Sequence, residues 1–117
     1  MIIWSRCSVS ARARSLATSL AGVVHGELHV GDGVIWMHPP SAEYNLVSPT
    51  GLGVSTHSMA VMVDDVDRHH ERAVVAGATV VYPPKNMPYG VREYAARDLE
   101  GGLWSFMTPI NPEGEPI

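Results

Sequence analysis

A chain of 117 residues and 12.6 kDa is long enough for one domain with one core. Apolar residues make up 45% and charged residues 17%, which is typical of a globular protein and excludes a disordered one. The net charge of −4 predicts no nucleic-acid surface, and no stretch approaches the ~20 apolar residues of a membrane span. Cys7 is the single cysteine, which excludes an internal disulfide, so we expect a cytoplasmic protein.

The first 22 residues are basic and contain no acidic side chain. Such a start is also found in targeting segments. Because the apolar run is short, we favour a strand at Met1–Trp4 followed by a helix over Ala11–Leu20. Ser10 is the predicted N-cap, and Leu16 and Leu20 are spaced by one helical turn.

From Val23 onward, short apolar runs predict strands. Val23–Val30 and Val34–His38 flank Gly31-Asp32-Gly33, and Asp-Gly between two apolar runs indicates a hairpin. Pro39-Pro40 is expected to end the second strand. Residues Ser41–Gly53 are polar and predict a long connecting loop.

The second half of the chain has the pattern of a βαβββ unit. Acidic residues favour a helix that begins within Asp64–Asp67, continues to about Ala76 and ends at Gly77. Pro83-Pro84 is expected to end the strand that follows this helix, and the tail after Pro109 is expected to be frayed. The predicted strands are His57–Val63, Thr79–Tyr82, Gly90–Arg97 and Leu103–Thr108.

Two stretches of this half carry a family pattern. The first is Ser58–Val63 with the acidic helix start, and the second is Arg97-Asp98-Leu99-Glu100-Gly101-Gly102-Leu103-Trp104-Ser105-Phe106. They resemble the glyoxalase/bleomycin-resistance/ring-cleaving dioxygenase superfamily, the vicinal oxygen chelate fold. The second stretch is similar to the family's Asp-Pro-x-Gly-x-x-Trp turn, with Leu99 in place of proline. The resemblance extends from about Val23 to Thr108.

This resemblance implies an α+β fold in which two βαβββ modules form a curved mixed sheet with a cupped pocket. We expect a single domain over residues 1–117, with an N-terminal module at 1–53, a C-terminal module at 54–109 and a tail at 110–117. The first module is expected to be incomplete, because residues 1–22 leave little room for a strand and a helix. Family members usually form dimers, so a homodimer is expected.

The resemblance also implies where the family's metal ligands would stand. Three of the four positions fall on Trp36, Ser58 and Ser105, and the fourth belongs to the first strand, where residues 1–22 contain no His, Asp or Glu. Strand alternation turns the neighbouring His57 away from the cup. A divalent cation needs three or four convergent donors, so we expect no metal and no other cofactor.

A ligand site is nevertheless expected in the cup. Trp36 would provide a flat apolar wall and His38 shares its face, whereas Arg92 and Tyr94 would supply a charge and a hydroxyl. No base–nucleophile motif stands out, so no catalytic residue is predicted. The expected ligand-binding residues are Trp36, His38, Ser58, Arg92, Tyr94 and Ser105.

Alternation and helix position make two further predictions. Glu93 lies between Arg92 and Tyr94 and is expected to point away from the ligand. His69 and His70 lie in the middle of the helix and are expected on its solvated face.

Three functions compete. The leading hypothesis is a metal-independent protein that binds a small apolar or aromatic molecule and has no nucleic-acid or membrane partner. The alternative is a glyoxalase-like lyase, isomerase or dioxygenase with non-standard metal ligands such as His38 and His57. The third is a degenerate structural subunit whose cup binds nothing.

Overall fold

The structure, a computed structural model, describes residues 14–19, 22–30 and 33–117. The strand predicted at Met1–Trp4 lies outside these ranges. Within them the chain forms, in order, β1 (Arg14–Ser19), β2 (Gly22–Val30), β3 (Gly33–Met37), α1 (Pro49–Leu52), β4 (Ser58–Met62), α2 (Val66–Val75), β5 (Thr79–Asn86), β6 (Val91–Arg97) and β7 (Leu103–Pro109).

The N-terminal strands form an antiparallel sheet in the order β1-β2-β3. The helix predicted over Ala11–Leu20 is therefore wrong for Arg14–Ser19, which is strand β1. Residues four apart share a face in a strand as well as in a helix, so the Leu16 and Leu20 spacing did not distinguish the two. The hairpin prediction is confirmed by the pairing of Val30 with Gly33, although residues 31 and 32 lie outside the described part.

The C-terminal strands form a curved mixed sheet in the order β4-β7-β6-β5, with α2 packed on one face. β4 and β7 are parallel and the other neighbours are antiparallel. This is the predicted βαβββ unit, and the predicted α+β class is confirmed.

Helix α2 begins and ends as its sequence predicts. The Asp65 side chain accepts a hydrogen bond from the Arg68 backbone N–H at 3.1 Å, which caps the first turn. At the other end Gly77 adopts a φ of 88°, a left-handed conformation that favours glycine. Thr108 fixes the helix to the sheet, because its hydroxyl donates to the Val63 carbonyl and accepts the Val66 N–H.

Side-chain alternation divides the C-terminal sheet into two faces. One face packs against α2 and carries the core residues Val61, Tyr94, Ala96, Trp104 and Phe106. The other has no helix over it among the described elements, and we name it the open face. By strand register its residues are Ser58, Ala60, Met62, Tyr82, Glu93, Ala95, Arg97, Leu103, Ser105 and Met107.

The two ends of this unit differ from the sequence prediction. β5 continues through Pro83 and Pro84 to Asn86 instead of ending at Tyr82. Prolines are tolerated there because β5 is an edge strand with irregular pairing to β6. The residues after Pro109 fold back rather than fray, since Ile110 is buried and bridges Pro116.

Candidate functional site

The open face is built from side-chain rows that cross three strands. Ala60, Ser105 and Ala95 form the central row. Ala60 is exposed and Ser105 is half-buried, so these two small side chains leave a shallow floor, whereas Ala95 is fully buried. Met62, Met107 and Glu93 form the row on one side, and Ser58, Leu103 and Arg97 form the row on the other. Ser58 and Ser105 therefore share this face, as strand alternation predicted.

A carboxylate with two phenol partners lies in the methionine row. Glu93 is only 4% exposed although it stands on the uncovered side of the sheet. The Tyr82 hydroxyl donates to Glu93 Oε2, and the Tyr89 hydroxyl donates to Oε1 at 3.0 Å. Both carboxylate oxygens are thus hydrogen-bonded, which is what a buried charge requires.

The carboxylate makes both phenols harder to ionise. Burial, and then the hydrogen bond to Glu93, raise the pKa of Tyr82 to about 12. Desolvation, and then the hydrogen bond to Glu93, also raise the pKa of Tyr89. Lys85 Nζ lies 4.7 Å from the centre of the Tyr82 ring, so a cation stands beside the pair. We name Glu93, Tyr82 and Tyr89 the Glu93 cluster, and both of its phenols stay protonated at neutral pH.

Arg92 and Tyr94 share a face, but it is the face under α2. The Arg92 guanidinium binds the Asp67 carboxylate through two nitrogens, at 2.8 and 2.9 Å. Tyr94 is fully buried, and its hydroxyl lies 2.6 Å from His69 Nδ1. The structure therefore does not place these two predicted site residues with Ser58 and Ser105. Glu93 was expected to point away from the ligand, but it lies on the open face together with Ser58 and Ser105.

His69 is a core residue and not part of a solvated helix face. It is 2% exposed and its ring centre lies 4.4 Å from that of Phe106. Burial lowers its pKa to about 4, with the neighbouring Arg72 charge adding to the effect. His69 Nε2 is buried without a hydrogen-bond partner. This imidazole is consequently neutral and serves the packing of α2.

Trp36 and His38 lie on the N-terminal hairpin. Trp36 is 72% exposed, whereas its neighbours Ile35 and Met37 pack against the core that contains Leu28. His38 is also exposed, and its Nδ1 lies 2.7 Å from the Pro39 carbonyl. The hydrogen bonds described for His38 do not reach the open face.

The described residues at the family's metal-ligand positions are poor donors for a divalent metal. Ser58 and Ser105 occupy two of them with neutral hydroxyls, and Trp36 brings an indole with no acceptor. Among the described residues, no three His, Cys, Asp or Glu side chains come together in a group that could hold a metal. His38 and His57 do not form such a group either. These residues do not fit a divalent metal centre.

The sequence contained a signal for the Glu93 cluster. Tyr94 and Ala96 alternate with Glu93, Ala95 and Arg97, so the more charged set marks the face without a helix. The Tyr82 contact had no such signal, because it depends on the irregular pairing of β5 with β6.

Comparison with known proteins assigns the chain to a family. The profile of the Glyoxalase/Bleomycin resistance protein/Dioxygenase superfamily matches residues 13–106. The chain belongs to this superfamily. It is 34% identical to TioX from Micromonospora sp. ML1, whose crystal structure superimposes with a TM-score of 0.66 over 89% of this chain and 82% of that one.

Two further relatives extend this comparison. A superfamily member from Sphaerobacter thermophilus DSM 20745 has a TM-score of 0.63 over 90% of this chain and 83% of its own, at 14% identity, so it shows the fold alone. An uncharacterized protein of Mycobacterium bovis is 29% identical over 91 residues, which are 75% of this chain. The match covers 60% of that curated relative's length. No helix in the described part of the chain is long and apolar enough to cross a membrane.

Proposed function

We propose that this protein binds a small amphipathic organic molecule on the open face, without a metal. The observation that carries the proposal is the Glu93 cluster. A buried carboxylate that accepts two phenol hydrogen bonds lies on a sheet face whose other floor residues are apolar or small. Ligand sites commonly combine an apolar surface with a few oriented polar groups.

The floor suits a flat apolar or aromatic body. Ala60 and Ser105 provide a floor of small side chains, and Met62 and Met107 flank them with flexible thioethers that adapt to irregular shapes. Met62 is 56% exposed, so it is accessible to a ligand. The Tyr89 hydroxyl donates to Glu93, and its exposed oxygen retains acceptor capacity, which favours a ligand with a hydrogen-bond donor at this end.

We also propose a homodimer in which the exposed face of the β2–β3 hairpin is covered. Val34 and Trp36 lie on that face, and they are 48% and 72% exposed. Exposed apolar side chains that lie side by side, as these two do, favour burial against a second copy of the chain. A cytoplasmic location is part of the same proposal and rests on the single cysteine.

Fluorescence titration with N-phenyl-1-naphthylamine tests the ligand site, because this neutral aromatic probe emits strongly once it leaves water. We expect saturable binding to the wild type. Ser105→Phe places a ring on the floor and should weaken binding by about tenfold or more. Val75→Phe adds the same ring to a position of α2 that is 89% exposed and should leave binding unchanged.

Equal affinity in the Ser105→Phe and wild-type proteins would reject the open face as the site. Near-ultraviolet circular dichroism should show that both variants keep the folded core.

A further inference from the structure

A cavity of about 710 Å³ lies at the end of the open face. One wall is the chain segment between the two sheets, from Pro49 to Ser58, and the opposite wall is Arg97, Gly101 and Leu103. Ser58, Leu103 and Arg97 also form the last row of the open face. The cavity and the floor of the proposed ligand site are therefore continuous.

The connecting segment is fixed to the sheet where it forms this wall. The backbone N–H and the hydroxyl of Thr50 both donate to the Glu100 carbonyl, at 3.0 and 2.8 Å. Gly101 lies directly beneath, where an added Cβ would be 3.4 Å from the Thr50 hydroxyl. These contacts join the connecting segment to the turn between β6 and β7 at the edge of the cavity.

The charge inside the cavity comes from Arg97. One terminal nitrogen of its guanidinium donates to the Gly101 carbonyl at 2.9 Å. Among the described side chains, no carboxylate comes within ion-pair distance of Arg97, which contrasts with Arg92 and its Asp67 partner. The remaining guanidinium N–H groups are available for an oxyanion, the group that this planar donor set binds best.

Other polar groups face the same space. Ser58 and Thr56 line the cavity beside Arg97, and so does His57, although strand alternation predicted that His57 is turned away from the cup. The Ser55 hydroxyl is not a free donor, because it donates to the His57 carbonyl at 2.7 Å. Imidazole and hydroxyl groups donate hydrogen bonds to oxyanions. The Glu93 carboxylate lies four residues along β6 from Arg97 on the same face, about 13 Å away at strand spacing.

We propose that this cavity is a subsite for an anionic group, so that the ligand is an aromatic oxyanion with its acid at Arg97. This inference rests on the proposed function, because the aromatic body lies on the open face. The central row is two residues from the row that contains Arg97, about 7 Å away at strand spacing, so one ligand of the size of a fused ring system can contact both rows. A carboxylate, sulfonate or phosphate would provide the same chemistry.

The test compares two probes that share an aromatic body. 8-Anilinonaphthalene-1-sulfonate carries a sulfonate, and N-phenyl-1-naphthylamine is the same scaffold without it. We expect the wild type to bind the sulfonate probe more tightly than the neutral probe. Arg97→Gln should weaken binding of the sulfonate probe by about tenfold and change the affinity for the neutral probe by less than about twofold.

The Arg68→Gln variant is the matched control, because it removes one positive charge from α2, on the other side of the sheet. It should not reproduce the selective loss. A loss of equal size in Arg68→Gln would overturn the Arg97 subsite in favour of general electrostatic attraction.

The remaining outcomes separate the two proposals. If Ser105→Phe weakens both probes but Arg97→Gln affects neither, the open face binds ligands and the anion subsite is refuted. If Ser105→Phe leaves both probes unaffected, the proposed function itself fails and the subsite fails with it. If Arg97→Gln binds the sulfonate probe more weakly than the wild type at 1 M salt as well as at low salt, the result would support direct contact, because 1 M salt screens long-range attraction.

Discussion

His69 and Tyr94 form a polar pair in the middle of an apolar core, where the Phe106 ring contacts both of them. Helical position alone predicted His69 on a solvated face. The prediction failed because His69, three residues after Val66 and four before Ala73, shares the buried side of α2 with them. The prediction gave more weight to the residue type, histidine, whose burial is intermediate on average, than to the helical spacing of His69 from Val66 and Ala73.

Acid should destabilise the protein through His69. The folded protein keeps this side chain neutral down to a pKa of about 4, whereas the unfolded chain takes up a proton near 6.5. Stability is therefore present above pH 6.5 and is lost as the pH falls toward 4. We expect a loss of about 2 kcal/mol between pH 7 and pH 4.5, measured by urea unfolding. His69→Leu should show a smaller loss over the same interval, and an equal loss would contradict this assignment.

The two phenols of the Glu93 cluster should differ in their contribution to stability. Tyr82 is half-buried, whereas Tyr89 is 63% exposed. Tyr82→Phe leaves a nearly buried carboxylate oxygen without its donor and should lower the free energy of unfolding by about 1–3 kcal/mol. Tyr89→Phe leaves an oxygen that water can reach and should cost less. Thermal unfolding of both variants at pH 7 decides this, and a larger effect from Tyr89→Phe would refute the cluster's geometry.

At the scale of elements, the turn between β6 and β7 depends on one carboxylate. Asp98 Oδ1 accepts the backbone N–H groups of Glu100 and Gly102, at 2.9 and 2.8 Å. Its Oδ2 accepts the Trp104 indole N–H at 2.8 Å. The turn replaces the family's proline with Leu99, and these hydrogen bonds keep it closed without the fixed φ of proline.

Loss of the Asp98 carboxylate should therefore be costly. Asp98→Ala removes an acceptor from three N–H groups and leaves the buried Trp104 indole unpaired, which should cost about 2–3 kcal/mol. Glu100→Ala, two residues further along the same turn and exposed, should change stability by no more than about 0.5 kcal/mol. Chemical denaturation of the pair measures the difference. Equal stabilities would mean that the Asp98 hydrogen bonds do not hold the turn.

Most elements of the C-terminal unit could be predicted because their signals are local. The cap at Asp65, the glycine at 77 and the alternation of β4 and β7 each lie within a few neighbouring residues. The misassigned elements depended on distant partners. β1 is a strand because it pairs with β2, and β5 continues past its prolines because it lies at a sheet edge. Ser58 and Ser105 could be placed on the open face because the alternation of β4 and β7 is a local signal. Glu93 and Tyr82 could not, because their contact depends on how β5 pairs with β6 in the folded sheet.

At the scale of the whole molecule, the chain is longer than it is wide. Its extents are 52 × 27 × 25 Å and its radius of gyration is 15.6 Å, whereas about 13 Å is typical for a compact domain of this length. The two sheets share no strand pairing among the described residues. On the hairpin, Ile35 and Met37 pack against the core, whereas Trp36 between them is 72% exposed.

Sedimentation should show a dimer of about 25 kDa, twice the 12.6 kDa of the chain, at micromolar concentration. Trp36→Asp places a charge on the proposed interface and should shift the population toward the monomer. Val81→Asp, at a valine that is 49% exposed on β5, is the matched control and should stay dimeric. A wild-type protein that sediments only as a monomer would refute the homodimer.

The parallel pairing of β4 with β7 has a consequence for how the chain folds. Ser58 lies opposite Leu103, so 45 residues separate the partners, whereas β5, β6 and β7 connect through short turns. Closing the long loop costs more chain entropy than closing the turns, so the β5–β6–β7 meander is expected to assemble early and β4 to dock late. Until β4 arrives, the edge of β7 has unpaired backbone groups, and newly synthesised chains can pair there with each other. The segment from Pro49 to Ser58, which forms the wall of the Arg97 cavity, would then take its final position only when β4 docks, so the cavity is assembled at the end of folding.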